Sequence, residues 1–267
     1  MISQLHMAKS AMFAFQRKLQ VITNNIANAQ TVGYKRRGVE MESLFPLILE
    51  GVLTESDEAI PGNQNSRRRY VEYGQGVRIA EIRKNMEKGS IEITNQPLDM
   101  AIDGQGFFQF RQADGSLAYG RAGNFHTDSE GNVVGPNGHL LEPSLRIPNN
   151  TTEVIINEEG KVFVQVNNET TPREIGQLLL ANFSNPGGLV DVGQNLYKES
   201  AASGEARYET PGTDSMGLIR QRALEFSNVN VIEEMMNMVL TQRAFEITVK
   251  AIGSGDAMLK SGSDLGK

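Results

Sequence analysis

Seven apolar positions near the start of the chain, Leu5, Ala8, Met12, Phe15, Leu19, Ile22 and Ile26, are spaced 3, 4, 3, 4, 3 and 4 residues apart. A seam of that kind predicts an amphipathic helix over about 4–30, roughly 40 Å long at 1.5 Å per residue. Ser3 is placed to cap its start, and Gly33 to end it in a left-handed turn. A second seam runs through Val231, Met235, Met238, Phe245, Val249, Ile252 and Leu259, broken at Gln242 and Asp256. Asn230 ahead of it, with Glu233 as capping-box partner and Glu234 beside it, predicts the start of that helix. Gly253 or Gly255 predicts its stop, after some 33 Å. The two helices can pair with each other or each pack on a central core. Phe13, Val21, Met236, Leu240, Ile247 and Ala251 lie off the seams and would stay exposed in a simple pair, which favours helix-on-helix packing between subunits. Met235, Met236 and Met238 would make that surface adaptable.

Between the helices the apolar period changes from 3.5 to two. Phe107–Phe110 and Leu117–Tyr119 flank the turn residues Ala113-Asp114-Gly115-Ser116, which predicts a hairpin. Short strands are expected at 124–127, 133–134 and 139–141, a second hairpin at 154–156 with 161–166, and one further strand over 176–183. Six or seven strands between 100 and 185 would form a small antiparallel β domain. Residues 46–75, with Pro46, Pro61 and the run Arg67-Arg68-Arg69, and residues 198–217 fit neither period and are expected as loops, long enough that each is either disordered or ordered by a partner. The Arg run is most simply a solvated patch, and alternatively an acceptor for a neighbour's carboxylates.

Composition narrows the chemistry. The 267 residues carry 26 Lys plus Arg against 32 Asp plus Glu, a formal charge of −6, which gives no electrostatic footprint for nucleic acid. Cysteine is absent and histidine numbers three, His6, His126 and His139, with no short metal-binding spacing among them. No G-x-S-x-G, phosphate loop or G-x-G-x-x-G occurs; Gly104-Gln105-Gly106 is better explained as a bend. The expectation is therefore a chain with no catalytic residues, no metal and no cofactor, although a glycosidase-type carboxylate pair or a β-rich carbohydrate-binding module remains open. No apolar stretch approaches a membrane span, and no cleaved signal peptide is visible at Met1 to Ser10.

Three blocks carry a resemblance. Ile22-Thr-Asn-Asn-Ile-Ala-Asn-Ala-Gln-Thr-Val-Gly-Tyr-Lys-Arg36 resembles the N-terminal signature of bacterial flagellar rod and hook proteins, with Asn24, Asn25, Asn28, Gly33, Tyr34 and Lys35 as its motif. Ser227-Asn228-Val229-Asn230, running on through Met238 and Thr241 to Ile252, resembles their C-terminal signature. Gln96 to Phe108 with Tyr119-Gly-Arg-Ala-Gly-Asn-Phe125 is similar to the family's central block. The length, the 46–75 segment and Gly193 to Tyr197 resemble the distal rod members, with proximal rod or hook-type subunits as the alternative. One departure is Arg222, at or near which the family pattern has a glycine.

The resemblance implies an α+β fold: long terminal helices pairing as a coiled-coil layer (1–34 with 226–267), an extended connecting region (35–99 with 190–225) and an antiparallel β domain (100–189). It implies a structural subunit of a hollow, rigid helical shaft in the flagellar basal body, spanning the periplasm. Partners would be further copies of the chain, neighbouring rod and hook proteins, the bushing rings, and the type III export apparatus that would carry it without a cleaved signal. Leu5 to Ile26 and Val231 to Ile252 would form subunit interfaces, and the segment bearing Arg67, Arg68 and Arg69 would stiffen the shaft.

Overall fold

The N-terminal seam forms a helix, α1, over Ile2–Ala27, and the C-terminal seam forms α2 over Val231–Asp264. The computed structural model describes residues 2–50, 70–167, 171–213 and 216–264. Arg67, Arg68 and Arg69, with most of the 46–75 stretch, lie outside the described residues. Ser3 falls inside the first turn of α1 and not ahead of it. The helix ends six residues before Gly33, where the Asn28 side chain joins the last turn: its Nδ2 donates to Asn24 O at 2.9 Å, beside the backbone bond of Asn28 N–H to the same oxygen at 3.1 Å. Gly33 is left-handed as expected, at φ +70°, but it serves a close approach and not a helix cap. A Cβ there would sit 2.6 Å from Ala122 N.

The start of α2 follows the sequence. Asn230 Oδ1 accepts from the N–H groups of Ile232 and Glu233 at 3.1 and 3.3 Å. Its end does not, since Gly253 and Gly255 lie inside the helix. An interior glycine weakens a helix by about 1 kcal/mol, and it stops one only where the chain turns left-handed.

The described residues divide into two compact units. One holds Met1–Thr23, Gly38–Arg83 and Met235–Lys267. Within it Arg37–Ser43 pairs with Val77–Lys84, and Leu47–Glu50 pairs antiparallel with Tyr70–Tyr73. The flanks of the expected 46–75 loop are thus a ladder. Ser10 Oγ accepts from Val77 N–H at 3.3 Å, and a Cβ on Gly76 would collide with that hydroxyl.

The other unit, Asn24–Arg37 with Lys84–Glu234, contains the β region. Its largest sheet has seven antiparallel strands in the order Val190–Gly193, Leu196–Lys198, Leu117–Gly120, Phe108–Arg111, Leu140–Glu142, Val133–Val134 and His126–Thr127. The expected hairpin of 108–111 with 117–120 forms with Phe110 opposite Ala118. Thr151–Ile156, Lys161–Val166 and Arg173–Gln177 make a three-stranded sheet. The single strand expected over 176–183 is two: Arg173–Gln177 joins that sheet, while Leu180–Asn182 pairs with Arg207–Glu209. Between them the Leu178 N–H turns aside to Gly160 O at 2.8 Å, and its side chain is fully buried. Ten strands lie between 100 and 185 among the described residues, more than the periodicity predicted: the short strands at 126–127, 133–134 and 140–142 form near where they were expected, and the additions are Met100–Asp103 and the split of the 176–183 strand.

Successive side chains of a strand point to opposite faces, and Phe107-Phe108 divides between two cores on that rule. Phe108 and Phe110 pack with Phe125, Met100, Ile102 and Leu141, the Phe108 and Phe125 rings meeting edge-on at 5.1 Å. Phe107 joins Tyr119, Phe183 and Tyr197 instead. The chain is α+β, with a helix at each end and a central antiparallel β region. At the departure noted above, Arg222 adopts φ +60°, the conformation a glycine would take without strain.

Candidate functional site: a polar clasp joining the signature segments

The segment after α1 and the segment before α2 are bound together around two carboxylates. Glu225 ends the short strand Ala223–Glu225, with apolar neighbours Leu224 and Phe226 in sequence, and is fully buried. Its Oε1 accepts from Lys35 Nζ at 2.6 Å and from Gly89 N–H at 3.0 Å; its Oε2 accepts from Arg121 Nη1 at 2.9 Å. Its backbone carbonyl takes the Gly33 N–H at 2.9 Å. Lys35, 1% exposed, gives a second hydrogen bond to Glu87 O at 2.7 Å. Arg121 gives one to Gly104 O at 2.8 Å and lies over the Phe107 ring at 5.2 Å. Burial would by itself raise the Glu225 carboxyl, but the charges of Arg121 and Lys35 beside it hold it below the ordinary carboxylate value. Burial lowers Lys35 and Arg121 adds to this, against the pull of Glu225.

The second carboxylate, Glu234, sits in the first turn of α2. Arg36 Nε donates to its Oε1 at 2.7 Å, and Arg36 Nη2 reaches Glu233 Oε1 at 3.1 Å. Glu233 is thereby drawn to a side-chain partner where a capping box was expected. Asn25, at the end of α1, uses all of its hydrogen-bonding capacity. Nδ2 donates to Arg37 O at 2.8 Å and Glu234 Oε2 at 3.2 Å, and Oδ1 accepts from Arg37 N–H at 3.0 Å. The Tyr34 hydroxyl lies 3.0 Å from Asn25 Oδ1 and 2.9 Å from Asn24 Oδ1, sharing its proton between them. Burial holds that phenol above its ordinary value, so it stays a donor. Only an amide supplies two donors and two acceptors at this place, which explains asparagine there. Asn228 Oδ1 accepts from Arg36 N–H at 2.7 Å, and its Nδ2 donates to Asn85 O and Glu87 O at 3.0 and 3.1 Å. Arg37 extends the cluster to Asp191 at 2.6 Å. Every charge named is paired, and the buried Arg121 Nε makes no hydrogen bond, so the clasp reads as a brace. Among the described residues no group of three or more His, Asp or Glu is placed to hold a metal.

The motif residues predicted from sequence therefore fall in two classes. Asn25, Gly33, Tyr34, Lys35, Asn228 and Asn230 make the bonds given above. Asn24 and Asn28 terminate α1, Ser227 Oγ accepts from Val229 N–H at 3.3 Å, and Val229 is half-buried.

The seam residues divide as well. On α1, Ile22 is buried and Ala8, Met12, Phe15, Leu19 and Ile26 are half-buried, while Leu5 is exposed. On α2 the protected positions form a ridge that includes Glu234, Met238, Thr241, Phe245, Thr248 and Ile252, with Asn237, Ala244 and Gly255 beside it. That ridge shares Met238, Phe245 and Ile252 with the predicted seam but leaves Val231, Met235 and Val249 exposed. At 100° per residue, Ile232, Met236, Val239, Leu240 and Ile247 lie on the opposite face, and their exposure runs from 49% at Val239 to 78% at Ile232. Such a helix has apolar surface on two sides.

Comparison with known proteins accounts for both signature segments. Residues 5–35 match the family described as flagella basal body rod protein, 101–164 the FlgE/F/G D1 domain of flagellar hook proteins, and 220–265 the C-terminal region of basal body rod FlgEFG proteins. The basal-body rod protein FlgG of Caulobacter vibrioides is 38% identical over 261 residues, 98% of each chain. The chain belongs to the FlgG family of flagellar basal-body rod proteins. FlgG of Borreliella burgdorferi is 37% identical over 99% of each chain, and FlgG of Bacillus subtilis 35% over 97%. The Escherichia coli hook protein FlgE is similar over only 114 residues, 43% of this chain and 28% of its own. In this FlgG-family chain, sequence reasoning missed Glu225 and Arg121 and read Glu234 only as a first-turn charge. The available signal was a charge set in apolar or glycine-rich company: Glu225 between Leu224 and Phe226, Arg121 between Gly120 and Ala122-Gly123.

Proposed function

We propose that this chain is the structural subunit of the distal rod of the bacterial flagellar basal body, and that it polymerises through its terminal helices into a rigid, hollow, helical shaft carrying torque from motor to hook. The observation that carries the reading furthest is the two-sided apolar surface of α2, in a chain that aligns with FlgG proteins from end to end. A helix apolar on opposite faces needs cover on both. Among the described residues one chain offers one other long helix, so copies of the chain are the natural source of the rest. Each fully buried large apolar side chain adds about 1.5–3 kcal/mol, against ~0–1 kcal/mol for a surface ion pair, so the seams would dominate assembly.

On this reading the helices form an inner coiled-coil layer, with a connecting region and an outer β domain around it. Subunits touching along several helical directions would oppose shear together. The clasp would brace the segment that follows α1 against the segment that precedes α2. Neighbouring rod and hook proteins, the bushing rings and the type III export apparatus are the implied partners. Residues 46–75, including Arg67, Arg68 and Arg69, would brace adjacent subunits. The test is to concentrate the purified protein and image it by negative stain. Rods support the reading; a monodisperse monomer at all concentrations overturns it. Deleting 51–69 should leave rods that bend more, measured as a shorter persistence length, and a deletion rod as stiff as the parent would remove the bracing role.

A further inference from the structure

Sulfur in this chain is confined to methionine, 11 residues with no cysteine. The methionines are distributed unevenly by exposure. Met100 and Met216 are buried in the β-region core at 1% and 7% exposed, whereas Met235, Met236 and Met258 on α2 stand 56, 58 and 69% exposed. Helix geometry places Met236 and Met258 about 40° apart around α2, on the same outer face as Leu240 and Ile247, with Met235 flanking it. A methionine thioether is a soft apolar surface that becomes a polar, chiral sulfoxide on oxidation.

We propose that Met235, Met236 and Met258 form an oxidation-sensitive patch, modified by peroxide-class oxidants before assembly, and that the modified chain cannot join a polymer until it is reduced. The sulfur lone pair attacks one oxygen of hydrogen peroxide; the S–O bond forms, the O–O bond breaks, and the second oxygen takes up the proton of the first and leaves as water. Sulfur loses two electrons and the peroxide gains them. Three features single out this face. The chain has no thiol to react first, the three sulfurs are open to solvent, and they share the helix with the apolar residues that assembly would bury. A sulfoxide carried into such an interface brings a strong acceptor with no donor opposite it among Ile232, Val239, Leu240 and Ile247. Once a polymer has formed, the same burial would shield the sulfurs.

The effect on assembly rests on the subunit reading above, whereas the order of modification does not. The experiment treats the dilute full-length protein with hydrogen peroxide, maps oxidation by peptide mass spectrometry, and then measures the critical concentration for polymerisation by sedimentation. Met235, Met236 and Met258 should oxidise well ahead of Met100 and Met216, and the critical concentration should rise about tenfold or more. Methionine sulfoxide reductase with a thiol reductant should restore it. The triple variant M235L/M236L/M258L keeps the apolar face and should assemble equally before and after peroxide. Equal oxidation of buried and exposed methionines overturns the site. Unchanged assembly of the oxidised wild type, or equal loss in the triple variant, overturns the consequence. An untreated wild type that never polymerises overturns the subunit reading and with it the assembly effect.

Discussion

Replacing Glu225 by glutamine changes almost no volume but removes the one negative charge between Lys35 and Arg121. Both cations are buried, at 1% and 4% exposed, so neither can turn to water without opening the fold. Breaking a buried ion pair from one side costs about 3–5 kcal/mol. Lys35 can escape by shedding its proton, but from an ordinary value of 10.5 that costs about 5 kcal/mol at pH 7, so it sets a similar ceiling. The glutamine NH₂ must also face either Lys35 Nζ or Arg121 Nη1, a donor against a donor. Urea unfolding can be followed by the near-ultraviolet signal of the buried tyrosines Tyr34, Tyr119 and Tyr197, all in the β-containing unit. With m near the upper end of the usual ~1–3 kcal/mol/M, the midpoint should fall by about 1–2 M. The pH dependence gives a second readout. Glu225 has a folded value below its unfolded 4.5, so its stabilisation is complete above that pH and is lost as pH falls through the folded value. The wild type should weaken below pH 4.5 more steeply than E225Q. A midpoint shift under about 0.3 M, or parallel acid profiles, would refute the assignment of Glu225 as the keystone of the clasp.

Asn25→Asp removes both Nδ2 donors and sets a carboxylate against Glu234, and should cost about 2–4 kcal/mol in the same urea titration. Arg222 holds a left-handed backbone with only an exposed ion pair to Glu153 in return, so R222G should be at least as stable as R222A, by about 1 kcal/mol, in thermal melts. Leu240→Asp and Val249→Asp alter residues exposed in the single chain, so circular dichroism and melting should be unchanged while pelletable polymer disappears. Leu19→Asp should abolish polymer too, with some loss of monomer stability because Leu19 is half-buried.

Local periodicity made the helices and tight hairpins legible, because both are short-range patterns. The Asn230 cap and the turn at 113–116 need only neighbours in sequence. What escaped depends on partners far along the chain. Glu225 is 190 residues from Lys35 and 104 from Arg121, and nothing in a local window shows that these three meet. The protected ridge of α2 runs through Thr241 and Thr248 and not through Val231 and Val249. Hydrophobicity alone favours the other register. The end of α2 is illegible for an opposite reason: Gly253 and Gly255 look like stop signals, but they lie inside the helix, which runs on to Asp264. Arg222, at or near which the resemblance leads one to expect a glycine, has the backbone a glycine would take, at φ +60°.

The central claim is that the outward apolar face of α2 is covered by other copies of this chain. A helical reconstruction from electron micrographs of polymerised protein tests it most directly. The expected result is a hollow rod in which Ile232, Met236, Leu240 and Ile247 pack against helices of neighbouring subunits. A rod whose subunits meet only through their β regions, with those four residues facing solvent, would contradict it.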